Sequence, residues 1–317
     1  MRRPRLTRLS VERYVFLPVW AAMLAVFVIA SPDRFLHVAT FQSIFRSADI
    51  YVFLGLAALP ALLVAEFDLS IPYVMGLSAT VVPVLYSQHG VPIVVAVLVA
   101  VLVAVLCGLV NGLVVVALGV DALVATLGSG TVMLGIAQAV SHETPSAGLT
   151  TGFAKVASTS FLGLSTTFWY GLVLAVAFAY MLACTPLGRR MTFVGANRDV
   201  ARLAGIRVDR VRLGAYVWGA VIAGVAGVLL SAKLGGFDPS ASSGYLLPTF
   251  ATVFVSAAVI RPGRFNPIGT LIGAYFIASG SLGLQILGFS GWTQQVFYGG
   301  SLVLAVTVVT LVRKKAT

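Results

Sequence analysis

Charge is scarce in this chain of 317 residues: Asp, Glu, Lys and Arg together make up 10% of it, against 59% hydrophobic residues. At a mean hydropathy of +1.01, it carries more apolar surface than a soluble domain of this size can bury, which excludes a water-soluble fold. The three histidines, His37, His89 and His142, stand far apart, and none belongs to an H-E-x-x-H helix or another ligand-spaced cluster, so no metal site is expected. The only two cysteines, Cys107 and Cys184, lie inside apolar runs without a C-x-x-C spacing and read as buried free thiols. There is no G-x-S-x-G elbow. The dipeptide Gly-Lys never occurs, which excludes a P-loop. Any energy for pumping must therefore come from another subunit or an ion gradient. The acids Asp33, Asp49, Glu66, Asp68 and Asp121 sit at the ends of apolar runs or between them, whereas ion coupling usually leaves ionisable groups in mid-span.

What the chain does have is long apolar stretches, at about residues 14–30, 49–65, 70–87, 91–118, 122–141, 166–184, 214–232, 248–260, 268–287 and 293–312. A helix rising 1.5 Å per residue needs about 20 residues to cross roughly 30 Å of hydrocarbon. The reading is an all-α, polytopic transmembrane helical bundle of about ten spans, with broken helices near 66–72 and 256–268, forming a single domain over 1–317. Glycines one turn apart, as at Gly108 with Gly112 and Gly269 with Gly273, let helix backbones approach closely where lipid offers no hydrophobic drive.

The formal charge of +11 invites a nucleic-acid reading, but the basic residues are clumped at span ends. Alternating ten spans from an inside amino terminus puts Arg2, Arg3, Arg5, Arg8 and Arg13 in a cytoplasmic tail (1–13). It also puts inside the seven Arg between Gly188 and Leu213, then Arg261 with Arg264, and finally Arg313, Lys314 and Lys315. That places 17 of the 21 basic residues inside and leaves Arg34, Arg46, Lys155 and Lys233 outside, as the positive-inside rule requires. Both termini are then cytoplasmic. Merging 49–87 into one span would invert everything downstream and expose the seven-Arg loop. The clumps thus orient the chain against anionic membrane lipid, and no polar domain remains to read nucleic acid. The first 30 residues share a signal peptide's pattern up to Val28-Ile29-Ala30, but the apolar stretch is longer than the usual signal core.

Two polar segments carry content. In Glu66-Phe67-Asp68-Leu69-Ser70-Ile71-Pro72, Ser70 suits an N-cap and Pro72 the first turn of a following helix. The segment reads either as a helix break facing protein or a wet cavity or as a tight cytoplasmic turn. The second is the loop 186–213. Within it Asn197 can cap a short helix, Asp199 lies in its first turn, and Gly205 suits a left-handed stop. Val200, Leu203 and Ala204 share one face, and Arg198 and Arg202 share another. Such a helix suits docking into a partner's groove or lying on lipid headgroups.

At these segments the sequence resembles the inner-membrane permease subunits of ATP-binding-cassette importers for ribose, xylose and related monosaccharides. Asp68-Leu69-Ser70 is similar to that family's I-D-L-S-V-G stretch, and Gly195-Ala196-Asn197 through Ala204-Gly205-Ile206 to its cytoplasmic G-x-N-x-x-A-x-x-x-G-I motif. Leu123 to Gly128, Ser243-Gly244-Tyr245-Leu246, and Pro262 to Asn266 leading into Gly269 to Ala274 are similar too. The resemblance runs from about residue 50 to 312. It departs from the family's pattern at Glu66-Phe67, where Gly-Ile is usual, and at 256–261, where many members have a glycine-rich run.

The resemblance implies a multi-pass subunit of the bacterial inner membrane that forms the path for a monosaccharide. Its partners would be cytoplasmic ATP-binding subunits, a second permease subunit of the same or another sequence, and an extracytoplasmic substrate-binding protein. No catalysis and no bound cofactor are expected of this chain, since ATP is used by a partner subunit. Coupling to the ATPase is expected from Gly195, Asn197, Arg198, Asp199, Val200, Arg202, Leu203 and Gly205. An uncharged sugar calls for hydrogen-bonding groups without strong charge, and the candidates along the path are Asp68, Ser70, Asn111, Thr126, Ser129, Thr131, Gln138 and Gln285. Nucleoside or branched-chain amino acid permeases and a secondary sugar transporter are the alternatives.

Overall fold

The computed structural model describes residues 16–260 and 263–316, with side chains as far as residue 310. The basic tail 1–13, Arg261 and the side chains of Arg313, Lys314 and Lys315 lie outside the described residues. The fold is all-α. In chain order the helices are α1 (Phe16–Ala30), α2 (Pro32–Phe35), α3 (Val38–Leu63), α4 (Ile71–Pro83), α5 (Ile93–Val116), α6 (Ala122–Val140) and α7 (Thr151–Ser158). They continue with α8 (Thr166–Cys184), α9 (Pro186–Ala196), α10 (Arg198–Leu203), α11 (Val208–Leu234), α12 (Leu246–Ser256), α13 (Pro267–Ile286) and α14 (Gly291–Ala316). A π turn at Val84–Gln88 prolongs α4, and a 3-10 helix at Pro239–Tyr245 precedes α12.

A helix coincides with each of the ten apolar runs. Among the described residues six helices are long and apolar enough to cross a membrane: α3, α5, α6, α8, α11 and α13. The expected short run at 248–260 becomes α12, and the run expected to begin at 49 starts eleven residues earlier, at Val38. The breaks expected near 66–72 and 256–268 are present, since α3 stops before α4 and α12 before α13.

The described residues group into two compact units, 16–55 with 247–316 and 56–246, so that α3 contributes to both. In the first unit α13 is the shared neighbour. Trp20 Nε1 of α1 donates to Ser279 Oγ at 3.0 Å, and Tyr298 OH of α14 to Ser281 Oγ at 2.8 Å. The Gly269 and Gly273 positions bring α13 against the carbonyls of Ser256 and Thr252 on α12. Asn266 seals the break between them: its Oδ1 accepts from Gly269 N at 2.6 Å, capping α13, while Nδ2 donates to Ser256 O at 2.9 Å.

In the second unit α4 is enclosed: every residue from Ile71 to Val84 is buried. Helix α11 is packed closely on three neighbours. A Cβ at Gly219 would meet Ala57 O at 2.5 Å, one at Gly224 the Ala104 Cβ at 2.5 Å, and one at Gly227 the Met75 carbonyl of α4. Helix α5 shows why. Ala96, Ala100, Ala104, Gly108 and Gly112 form its buried stripe, while Val94, Leu98, Leu102, Leu106 and Val110 stand exposed on the other side, which is the small-residue contact and lipid-suited face of a membrane helix. Two short strand pairs belong to this unit. β1 (Ser146–Ala147) pairs antiparallel with the distant β4 (Gly236–Phe237), and β2 (Ser160–Phe161) forms a hairpin with β3 (Leu164–Ser165) through Leu162 and Gly163, both at positive φ, as a two-residue hairpin turn requires.

Candidate functional site

The same unit brings together the two segments singled out above. Helix α3 closes with Ala65 in the left-handed region, φ 57°. Glu66 N donates to Ala61 O at 2.9 Å and Ala65 N to Leu62 O at 3.2 Å, the Schellman arrangement that satisfies the last carbonyls of a helix. Glycine usually stands at that position because it alone has no Cβ to strain.

Glu66, next in the chain, is 4% exposed. A buried carboxylate is tolerated only when paired and hydrogen-bonded, and this one is. Its Oε1 accepts from Arg198 Nη2 at 2.7 Å and from Arg212 Nε at 2.7 Å, with Arg212 Nη2 at 2.6 Å, and its Oε2 accepts from Tyr216 OH at 3.2 Å. Arg198 Nη2 also donates to Ala65 O at 3.3 Å. Arg212 and Tyr216 lie four apart on α11 and so share a face. Asp209 Oδ1, 3.9 Å from Arg212 Nη1, adds a second carboxylate beside the two guanidiniums.

Two residues further on, Asp68 Oδ1 accepts from Ser70 N at 3.0 Å and from Ser70 Oγ at 2.5 Å. Asn111 Nδ2 of α5 donates to Ser70 Oγ at 2.7 Å, and Leu69 N donates to Thr126 Oγ1 of α6 at 3.0 Å. All four of Asp68, Ser70, Asn111 and Thr126 are buried. The expected capping by Ser70 is corrected: Ser70 is itself in helical conformation and its side chain caps nothing, because its hydroxyl is turned back onto Asp68. The backbone amides freed by the break are thereby met by side chains, Leu69 N by Thr126 of α6 and Ser70 N by Asp68, while Asn111 of α5 holds the Ser70 hydroxyl, as a break inside a membrane bundle requires.

The remaining candidates on α6 are spread along it. Ser129 Oγ donates to Thr126 O at 3.2 Å, and exposed Thr131 donates to Leu127 O at 3.0 Å. Gln138 is half-buried near the far end of the helix, and Gln285 is exposed near the end of α13, in the other unit.

The loop 186–213 holds two helices rather than the one expected. Thr185 caps α9 through Gly188 N at 3.4 Å, and Pro186 takes the first position, where no amide is needed. Asn197 then caps α10, its Oδ1 accepting from Asp199 N at 2.9 Å and Val200 N at 3.0 Å, and Gly205 ends it at φ 78°. Met191, Val194 and Ala201 pack with Val64, Val208 and Ala215 in one buried cluster. Gly195 lies against the end of α3, where an added Cβ would collide with Leu63 O and stand 3.3 Å from Val64 Cα. Arg202 Nη2 donates to Asp209 Oδ1 at 3.3 Å, and Asp199 is exposed beside it. Outward from this pinned base stand Val200, 49% exposed, and Leu203, 90% exposed. Sequence reasoning read Glu66 as part of a helix break and a departure from a motif, counted Arg212 only among the orienting charges, and missed Tyr216. The one local hint was that Arg212 and Tyr216 fall one turn apart; nothing in the sequence ties them to Glu66, 146 and 150 positions away.

A family described as branched-chain amino acid transport system / permease component matches residues 41–306. The autoinducer 2 import system permease protein LsrC of Salmonella typhi is 30% identical over 285 residues, 90% of this chain and 82% of that one. The D-allose transport system permease protein AlsC of Escherichia coli is 28% identical, covering 96% of this chain and 93% of its own. The ribose import permease protein RbsC of Haemophilus influenzae is 27% identical, covering 95% and 93%. No solved structure matches the chain.

Proposed function

Since the chain belongs to the branched-chain amino acid transport system / permease component family, we propose that it is the membrane-spanning permease of an ATP-driven importer, and that its cargo is a monosaccharide or a molecule of similar size and polarity. It crosses the inner membrane ten times with both ends in the cytoplasm, and it binds neither metal nor cofactor. A binding protein delivers cargo outside, a second permease subunit completes the path, and cytoplasmic ATP-binding subunits drive alternation between outward- and inward-open states. The cargo class is supported by the relatives, named as importers of ribose, allose and autoinducer 2. An amino acid, as the family's description has it, brings a carboxylate that calls for a cation or a helix N-terminus. Arg212, the buried guanidinium of this site, is already bound to Glu66.

The observation that carries the proposal is α10, capped and pinned at one face yet presenting Leu203 at 90% exposure. A large apolar side chain held outward on a fixed helix at the Arg-rich end suits insertion into a partner's groove. Asp68, Ser70, Asn111 and Thr126 hold the break before α4, and Ser129, Thr131 and Gln138 remain the groups of α6 offered to cargo. The test is Leu203→Asp in vesicles holding the permease pair, ATPase subunits and binding protein. Membrane insertion should be retained and stimulation of ATP hydrolysis by loaded binding protein abolished; stimulation equal to wild type removes the docking role.

A further inference from the structure

The ion cluster at Glu66 joins two elements that otherwise meet through packing alone. On one side is α10, whose Arg198 reaches 2.7 Å to Glu66 Oε1 and 3.3 Å to Ala65 O. On the other is the break, in which Glu66 stands two residues before Asp68 and four before Ser70, the polar pair that starts α4. We propose that Glu66 is a positioning residue for transport, and that the Arg198–Glu66–Arg212 cluster transmits movement of α10 to the break at 66–70. This rests on the docking role given above to α10, and it adds the route by which that docking reaches the interior.

Three observations support it. The joint is stiff, because Gly195 brings the end of α9 onto the backbone of α3 without an intervening side chain. The link is asymmetric in exposure: the Arg198 side chain is 38% exposed at the rim, while that of Arg212 is 11% exposed and also holds Glu66. Arg198 can therefore be released without stranding the carboxylate, whereas displacing α10 with the bond intact must pull on Glu66 and on the left-handed Ala65 beside it. Finally, the break has no slack of its own, since Leu69 N and Ser70 Oγ are held by Thr126 and Asn111. A shift at Glu66 must be accommodated by rearranging those bonds, and they tie the start of α4 to α5 and α6. Two discrete arrangements of such a bonded set are what coupling between distant sites requires.

The experiment uses the full chain with Cys107 and Cys184 replaced by Ala and a single Phe67→Cys in the break, where Phe67 is partly exposed. It is reconstituted with its ATPase subunits, and the rate of maleimide reaction is measured with and without a non-hydrolysable ATP analogue. The rate should change at least about fivefold with nucleotide. Arg198→Ala should remove that dependence while the ATPase subunit still co-purifies, and Arg198→Lys should restore it. Glu66→Gln, which keeps the side-chain shape, should behave as Arg198→Ala does. An Arg198→Ala protein that keeps the nucleotide dependence overturns the proposal, and so does a wild-type break that ignores nucleotide with the ATPase bound. Failure of the wild-type chain to bind any ATPase subunit is a different result and removes the docking role itself.

Discussion

Replacing Gly195 by Ala tests the joint between α9 and the end of α3. The added Cβ collides with Leu63 O, stands 3.0 Å from the Leu63 carbonyl carbon and 3.3 Å from Val64 Cα. All three contacts are backbone, so no side chain can swing aside, and α9 must retreat by about 1 Å to regain ordinary contact. That retreat loosens Met191, Val194 and Ala201 from Val64 and Val208, the cluster that fixes the base of α10. Overpacking a filled site costs about 1–3 kcal/mol, and the upper end applies where backbone meets backbone. At roughly 2–4 °C per kcal/mol, the scale for domains of about 150–250 residues, the Tm of the purified protein in detergent should fall by about 6–12 °C. Gly214→Ala is the matched control: it lies inside α11, exposed, with nothing within 4 Å of the new Cβ. Relief of the helical glycine should there raise stability by about 0.5–1 kcal/mol. A Gly195→Ala protein melting at or above wild type, with Gly214→Ala shifted upward, would falsify the reasoning.

Two further outcomes are expected. Asn111→Leu removes the 2.7 Å bond to Ser70 Oγ and should lower stability by about 0.6–1.7 kcal/mol, from the average to the maximum for hydrogen bonds between membrane helices. Combining it with Ser70→Ala should cost less than the two separate losses, and strict additivity in Tm counts against a shared contact. With Cys107 and Cys184 replaced, a membrane-impermeant maleimide added to intact cells should label Ser160→Cys and spare Asp199→Cys, both exposed positions. Labelling of Asp199→Cys from outside defeats the assigned orientation.

Much of the helical plan was legible because hydrocarbon solvation writes it into long apolar runs, each of which coincides with a helix. The Gly108 and Gly269 pairs were readable for the same reason, since small residues one turn apart have few other uses in a bundle. Local chemistry was readable where it is local: the Asn197 cap and the Gly205 stop depend on neighbours a few positions away. The start of α3 at Val38 was not, because 38–48 carries Gln42, Ser43, Arg46 and Ser47 and breaks the apolar signal. The cluster on Glu66 was hidden for a different reason. Its partners come from 132 and 146 positions away, and no periodicity in one segment reports on a pairing that distant. Ser70 illustrates the limit of cap signals, because a hydroxyl two residues after an aspartate has a competing acceptor close by.

Helix α4 has no side left over for lipid, and that bears on how the chain is made. Ser78 donates to Ala100 O, and Gly76 lies against Ser242, partners that leave the ribosome later than α4 does. A nascent segment of this kind gains little from entering the bilayer by itself. It has to be held at the insertion machinery until α5, α6 and finally α11 arrive to enclose it. Chains that terminate before residue 208 leave the side of α4 at Met75, Ser78 and Ala79, which Gly227 of α11 covers, without its neighbour.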